Sequence, residues 1–123
     1  MITGTDFVVV PTKDFARAVT FYGDTLELTP GIRYGDHPGA EFETGDLTLA
    51  VMDLEFFGGP ACGPSGPIAF RVDDVAEARA ALERKGVVFT GDIVDSGVCH
   101  QAFFADPDGN PLILHHRYVP RTS

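Results

Sequence analysis

The chain runs through one series of elements twice, and no other feature narrows its fold as much. DFARA at Asp14 and DVAEA at Asp74 open two helical patterns 60 residues apart. Each is preceded by one short apolar run and followed by three. DFVVVP, residues 6–11, is rich in β-branched side chains and stops at a proline, as a strand does. From Asp14, a capping residue, Phe15, Ala18, Val19, Tyr22 and Leu26 fall at i, i+3, i+4, i+7 and i+11, one stripe of an amphipathic helix. GIRYG, AEFETG and LTLAVMD then read as three strands of a meander, bounded by Gly, Pro and Asp.

The second pass repeats the first. PIAFRVD reads as a strand, and DVAEARAALERKG as a helix capped by Asp74, with Glu77 at its third position and Gly86 as its stop. VVFTGDIV and VCHQAFFAD are strands, and DPDG links the latter tightly to PLILHHR; proline presets φ at the first turn position and Gly109 can take positive φ. Residues 54–66 hold four glycines and two prolines, so they form a connector without regular structure. The expected fold class is α+β: two βαβββ modules, about 5–53 and 67–117, in one domain spanning 1–123. A single sheet with one helix leaves an apolar face open, which pairing of the modules would cover.

Composition limits the functions such a fold can serve. At 123 residues and 44% hydrophobic content, the chain has enough apolar matter for one cored domain. No apolar run approaches the roughly 18 residues needed to span a bilayer, and MITGTDFVVVPTKD lacks the pattern of a secretion signal; a cytoplasmic protein without a membrane partner is expected. The formal charge of −9, unbroken by any basic cluster, argues against nucleic acid. It either serves solubility or draws a cationic small molecule. Cys62 and Cys99 have no C-x-x-C spacing and read as free thiols.

The FY at 21 and 22, the GAEFETGDLTLAV hairpin, GPIAFRVDDV and FFADPDGNPLIL together resemble the vicinal oxygen chelate superfamily, which includes glyoxalase I, extradiol dioxygenases, fosfomycin-resistance transferases and bleomycin-binding proteins. The resemblance spans roughly residues 2–117. It implies paired βαβββ units curled around a cavity, in a homodimer. It also implies a divalent metal held by His, Gln or Glu, and here the sequence departs from the pattern. The equivalent positions are Phe7, Pro67 and Ile113, with a further one near Ala50. None of these side chains can donate a lone pair, whereas a divalent ion needs about four to six N, O or S donors. No metal and no cofactor are therefore expected.

His115 and His116 do not form a chelating pair, because adjacent strand residues face opposite ways. His115 shares the face of Ile113 and is the one acid–base candidate, an unperturbed imidazole titrating near pH 6.5. If Gln101 and Phe103 face the cavity, His100 faces the helix. Glu41 and Glu43 share a face, either as an acid–base or cation-receiving pair or as the wet side of a strand.

The leading expectation is a metal-independent small-molecule binding protein of the bleomycin-resistance type, taking a partly aromatic or cationic compound. Its cavity is lined by Phe7, Val9, Met52, Pro67, Phe103 and Ile113, with Gln101 and His115 as polar members. The alternatives are a glyoxalase- or dioxygenase-like enzyme with a relocated metal, and a domain that only binds a protein partner.

Overall fold

In the computed structural model of the chain, the described residues are 1–59 and 63–120. They form two compact units: residues 1–59 and 63–65 with the turn 107–110, and residues 66–106 with 111–120. Cys62 lies outside the described residues. No helix among them is long and apolar enough to cross a membrane.

The first unit contains β1 (Val8–Pro11), α1 (Phe15–Thr20), a π-helical turn (Phe21–Thr25), β2 (Thr29–Arg33), β3 (Gly39–Glu43) and β4 (Thr48–Met52). Its four strands lie in the order β1-β4-β3-β2, with β1 parallel to β4 and the others antiparallel. The strand expected over 6–11 starts two residues late, leaving Phe7 just ahead of it and 41% exposed.

The single helical stripe expected through Leu26 also needs correction. After Thr20 the helix widens into the π turn, with the Leu26 N–H bonded to the Phe21 carbonyl. The extra residue in that turn brings Phe21 as well as Tyr22 into the core, although Phe21 lies off the 3.6-residue stripe. Asp14 caps α1 by accepting from the Arg17 N–H at 3.1 Å.

The second unit contains β5 (Ile68–Arg71), α2 (Val75–Arg84), β6 (Thr90–Asp95), β7 (Cys99–Ala105) and β8 (Pro111–Arg117). Their order, β5-β8-β7-β6 with β5 parallel to β8, repeats the first sheet. Asp74 caps α2 by accepting from the Glu77 N–H at 2.9 Å, and Gly86 beyond the helix takes φ +95°, as the sequence implied.

The DPDGN turn does more than join β7 to β8. Gly109 takes φ +85°. Asp108 accepts from the Thr12 hydroxyl at 2.7 Å and the Lys13 N–H at 2.9 Å, and its carboxylate lies 3.8 Å from Arg17. Asn110, fully buried, donates to the Pro11 carbonyl at 2.9 Å and accepts from the Ser65 N–H at 2.8 Å. These bonds explain why the turn groups with the first unit.

Candidate functional site

Each sheet has a helix face and an open face, and strand alternation decides which side chains reach which. In the first unit the Tyr22 ring packs 6.2 Å from Phe42, so Phe42 marks the helix face. Cross-strand pairing places Leu49 with it, and Ala40 with Val51 and Val10. All five are buried. The face away from the helix carries the alternate residues: Val9 beside Ala50 beside Glu41, and Pro11 beside Met52 beside Gly39, of which Ala50, Met52 and Gly39 are buried. Val9 and Met52 thus share that face.

Glu41 and Glu43 are on that face, but each has its own partner. The Tyr34 hydroxyl donates to Glu41 at 2.6 Å, and the Thr48 hydroxyl donates to both Glu43 oxygens at 2.8 and 2.9 Å. Burial, then the hydrogen bond to Glu41 and the charge of that carboxylate, push the Tyr34 phenol from 10.0 up to about 12. Two separately satisfied carboxylates do not make an acid–base dyad.

At the sheet end, Pro11, Thr12, Lys13, Asp53 and Leu54, with the turn residue Asp108, edge a small cleft of about 160 Å³. Sequence reasoning did not find it, nor the ring cluster near it in sequence: Phe57 packs edge-on to Tyr34, and the His37 ring lies 5.3 Å from Phe56. The paired FF at 56 and 57 was its one visible sign.

In the second unit the Arg79 guanidinium of α2 stacks on Phe89, which packs 4.9 Å from Phe104, so Phe104 marks the helix face. Ala102, Leu112 and Leu114 share it and are buried. Two successive cross-strand rows form the open face: Ala69, Ile113 and Phe103, then Arg71, His115 and Gln101. The structure therefore places Gln101, Phe103, Ile113 and His115 together on one face, each half-buried. Pro67 precedes β5, outside the ladder.

His100 and His116 are directly paired on the helix face. The His116 Nδ1 lies 3.1 Å from the Val72 carbonyl, a bond that requires the Nδ1–H tautomer. The His100 ring stacks 4.8 Å from Tyr118, with its Nε2 3.4 Å from Asp95. The Tyr118 hydroxyl donates to Asp95 at 2.6 Å, which with the Gly97 N–H holds the Asp95 carboxyl below the usual range and raises the Tyr118 phenol. Both histidines therefore have structural partners. Cys99 is buried and, like Gln101, alternates onto the open side.

The residues present do not fit the metal that the fold implies. At the positions that the sequence resemblance equates with the family's ligands, Phe7, Pro67, Ile113 and a fourth near Ala50, the side chains are hydrocarbon. Among the described residues, no three of His, Cys, Asp and Glu group so as to hold an ion.

Comparison with solved structures places the fold. A lactoylglutathione lyase from Agrobacterium tumefaciens superposes with a TM-score of 0.78 at 17% identity, covering 94% of each chain. TnmS3, an antibiotic-binding protein from Streptomyces sp. CB03234, superposes at 0.74 with 27% identity, over 94% of this chain and 97% of its own. A glyoxalase/bleomycin resistance protein from the same Streptomyces gives 0.71 at 29% identity, over 89% and 97%. No curated protein matches the sequence. Like these structures, the chain is α+β with two βαβββ modules. A family profile matches residues 4–114, and the chain belongs to the glyoxalase/bleomycin resistance protein/dioxygenase superfamily.

Proposed function

We propose that this chain is a metal-independent binding protein for a small, partly aromatic compound, acting as a cytoplasmic homodimer. One observation carries the reading: the four positions that would grasp a metal hold Phe7, Ala50, Pro67 and Ile113. A Lewis acid that polarises an oxygen of the substrate is the step the family's enzymes share, and these side chains cannot hold one. They can exclude water from an apolar ligand. Ile113 and Phe103 lie in one cross-strand row, where an aromatic ring can stack on the phenyl group. Val9 and Met52 give the first sheet a similar apolar character. The likeness to TnmS3, an antibiotic-binding protein, supports binding without turnover.

A thermal-shift screen of neutral, anionic and cationic aromatic compounds tests the reading. A ligand at 100 times its dissociation constant adds about 2.7 kcal/mol, on the order of 10 °C for a chain of this length. A shift of that size without turnover of the compound is expected. No response from any aromatic compound would overturn the reading, as would one tightly retained equivalent of a transition metal. Sedimentation should give twice the 13.2 kDa chain mass.

A further inference from the structure

The ladder of β7 and β8 contains two polar cross-strand pairs, one on each face of the second sheet. On the helix face both members have partners, His100 beside Asp95 and His116 beside the Val72 carbonyl. On the open face Gln101 and His115 have none: among the described residues neither side chain makes a hydrogen bond or an ion pair. Both are nevertheless half-buried. Arg71, beside His115 in the same row, has an interaction of its own. Along the strands this face passes from apolar to polar: Ala105 with Pro111, Phe103 with Ile113, then Gln101 with His115.

We infer that Gln101 and His115 receive the carbonyl oxygen of an aromatic compound whose ring lies on Phe103 and Ile113. The inference rests on the proposed binding role and names the chemical class of the ligand. The Gln101 amide brings two N–H donors, and an imidazole brings at least one in either protonation state. Since both side chains can always donate, the group that suits them together is an acceptor. A ligand that covered this row with hydrocarbon would strip water from those donors without replacing it, which is the costly half of hydrogen bonding. Neighbouring rows on one face are about 7 Å apart, so a two-ring aromatic system on Phe103 and Ile113 carries a carbonyl on its far edge toward Gln101 and His115. The reverse orientation sets the oxygen against Ala105 and Pro111, whose side chains hold no donor.

Two probes of one shape test this by equilibrium dialysis against the full chain: acetylnaphthalene and isopropenylnaphthalene, in which a methylene group replaces the carbonyl oxygen. The ketone should bind about tenfold more tightly, because a site built to donate rejects an analogue that leaves its donors without partners. Gln101→Met and His115→Phe keep most of the bulk of each side chain and remove its N–H groups. Each should narrow the ketone's advantage several-fold, and together they should abolish it; an unchanged thermal midpoint shows that the variants fold. Phe103→Ala should weaken both probes alike. The comparison on the wild type decides by itself if a variant does not fold. Equal affinities for the two probes, or an advantage that survives both substitutions, overturn the carbonyl site while the binding role stands. If neither probe binds, both fall.

Discussion

Phe103 and His116 are close in the ladder yet have opposite surroundings. Phe103 is half-buried on the open face, whereas His116 is on the helix face beside the Val72 carbonyl. Phe103→Ala is expected to lower affinity for an aromatic ligand by about tenfold, since a stacked ring contributes about 0.5–1.5 kcal/mol beyond its buried area. His116→Ala should change affinity less than about twofold, while costing about 1 kcal/mol of fold stability for the lost hydrogen bond. Equal losses of affinity in titration would mean that the ligand does not lie on the open face. Tyr34 offers a second residue-scale test. Its folded-state pKa of about 12 exceeds the ordinary 10.0, so the unfolded chain loses this proton first as pH rises. The stabilisation is complete below pH 10 and fades toward about pH 12. Urea unfolding should therefore show a smaller stability gap between the wild type and Tyr34→Phe at about pH 11 than at about pH 8. A constant gap would show that the phenol is not held as described. Alternation alone had placed His100 and His116 opposite Gln101 and His115, because a period of two is a rigid rule. The Tyr34–Glu41 bond was invisible in sequence, since the hairpin that joins these residues sets its own geometry.

At the scale of elements, α2 was legible because every local signal agreed: a capping aspartate, a glutamate at the third position and a stopping glycine. The first helix was less so. Its stripe assumed 3.6 residues per turn, and the π turn at Phe21–Thr25 departs from that period. A non-glycine residue, Glu27, follows at φ +58°, strained in the left-handed region. The DPDGN turn was correctly read as a turn, but the role of its asparagine was not. Asn110 has both ends of its amide bonded, to Pro11 and Ser65, and no solvent exposure. Asn110→Ala strips partners from one carbonyl and one N–H, and should cost about 2 kcal/mol. Asn110→Asp keeps the bond from Ser65 but sets a carboxylate oxygen against the Pro11 carbonyl, so it should not rescue. The check is a lower urea midpoint at unchanged slope; a midpoint within error of wild type would show that the turn is not anchored through this amide.

For the whole molecule, the repeat spacing and the order of elements were enough to give the two βαβββ modules, but not the parallel pairing of each module's first strand with its last, which the helical crossover decides. The grouping of residues 107–110 with the first unit lay beyond reach, because it depends on contacts to Thr12, Lys13 and Pro11 nearly a hundred positions away. The expected departure from the family's metal pattern yields the broadest prediction. A metal that binds only the folded chain stabilises it by RT ln(1 + [L]/Kd), so an ion at a thousand times its dissociation constant would add about 4 kcal/mol. If hydrocarbon at Phe7, Ala50, Pro67 and Ile113 rules out coordination, nickel, manganese, iron and zinc should each leave the thermal midpoint unchanged. Exhaustive chelation should likewise leave aromatic-ligand affinity as it was, because burial of apolar surface and stacking do not depend on an ion. Chelation that abolished ligand binding, restored by one equivalent of one metal, would mean that coordination takes place through donors outside the inherited positions and that desolvation alone does not hold the ligand.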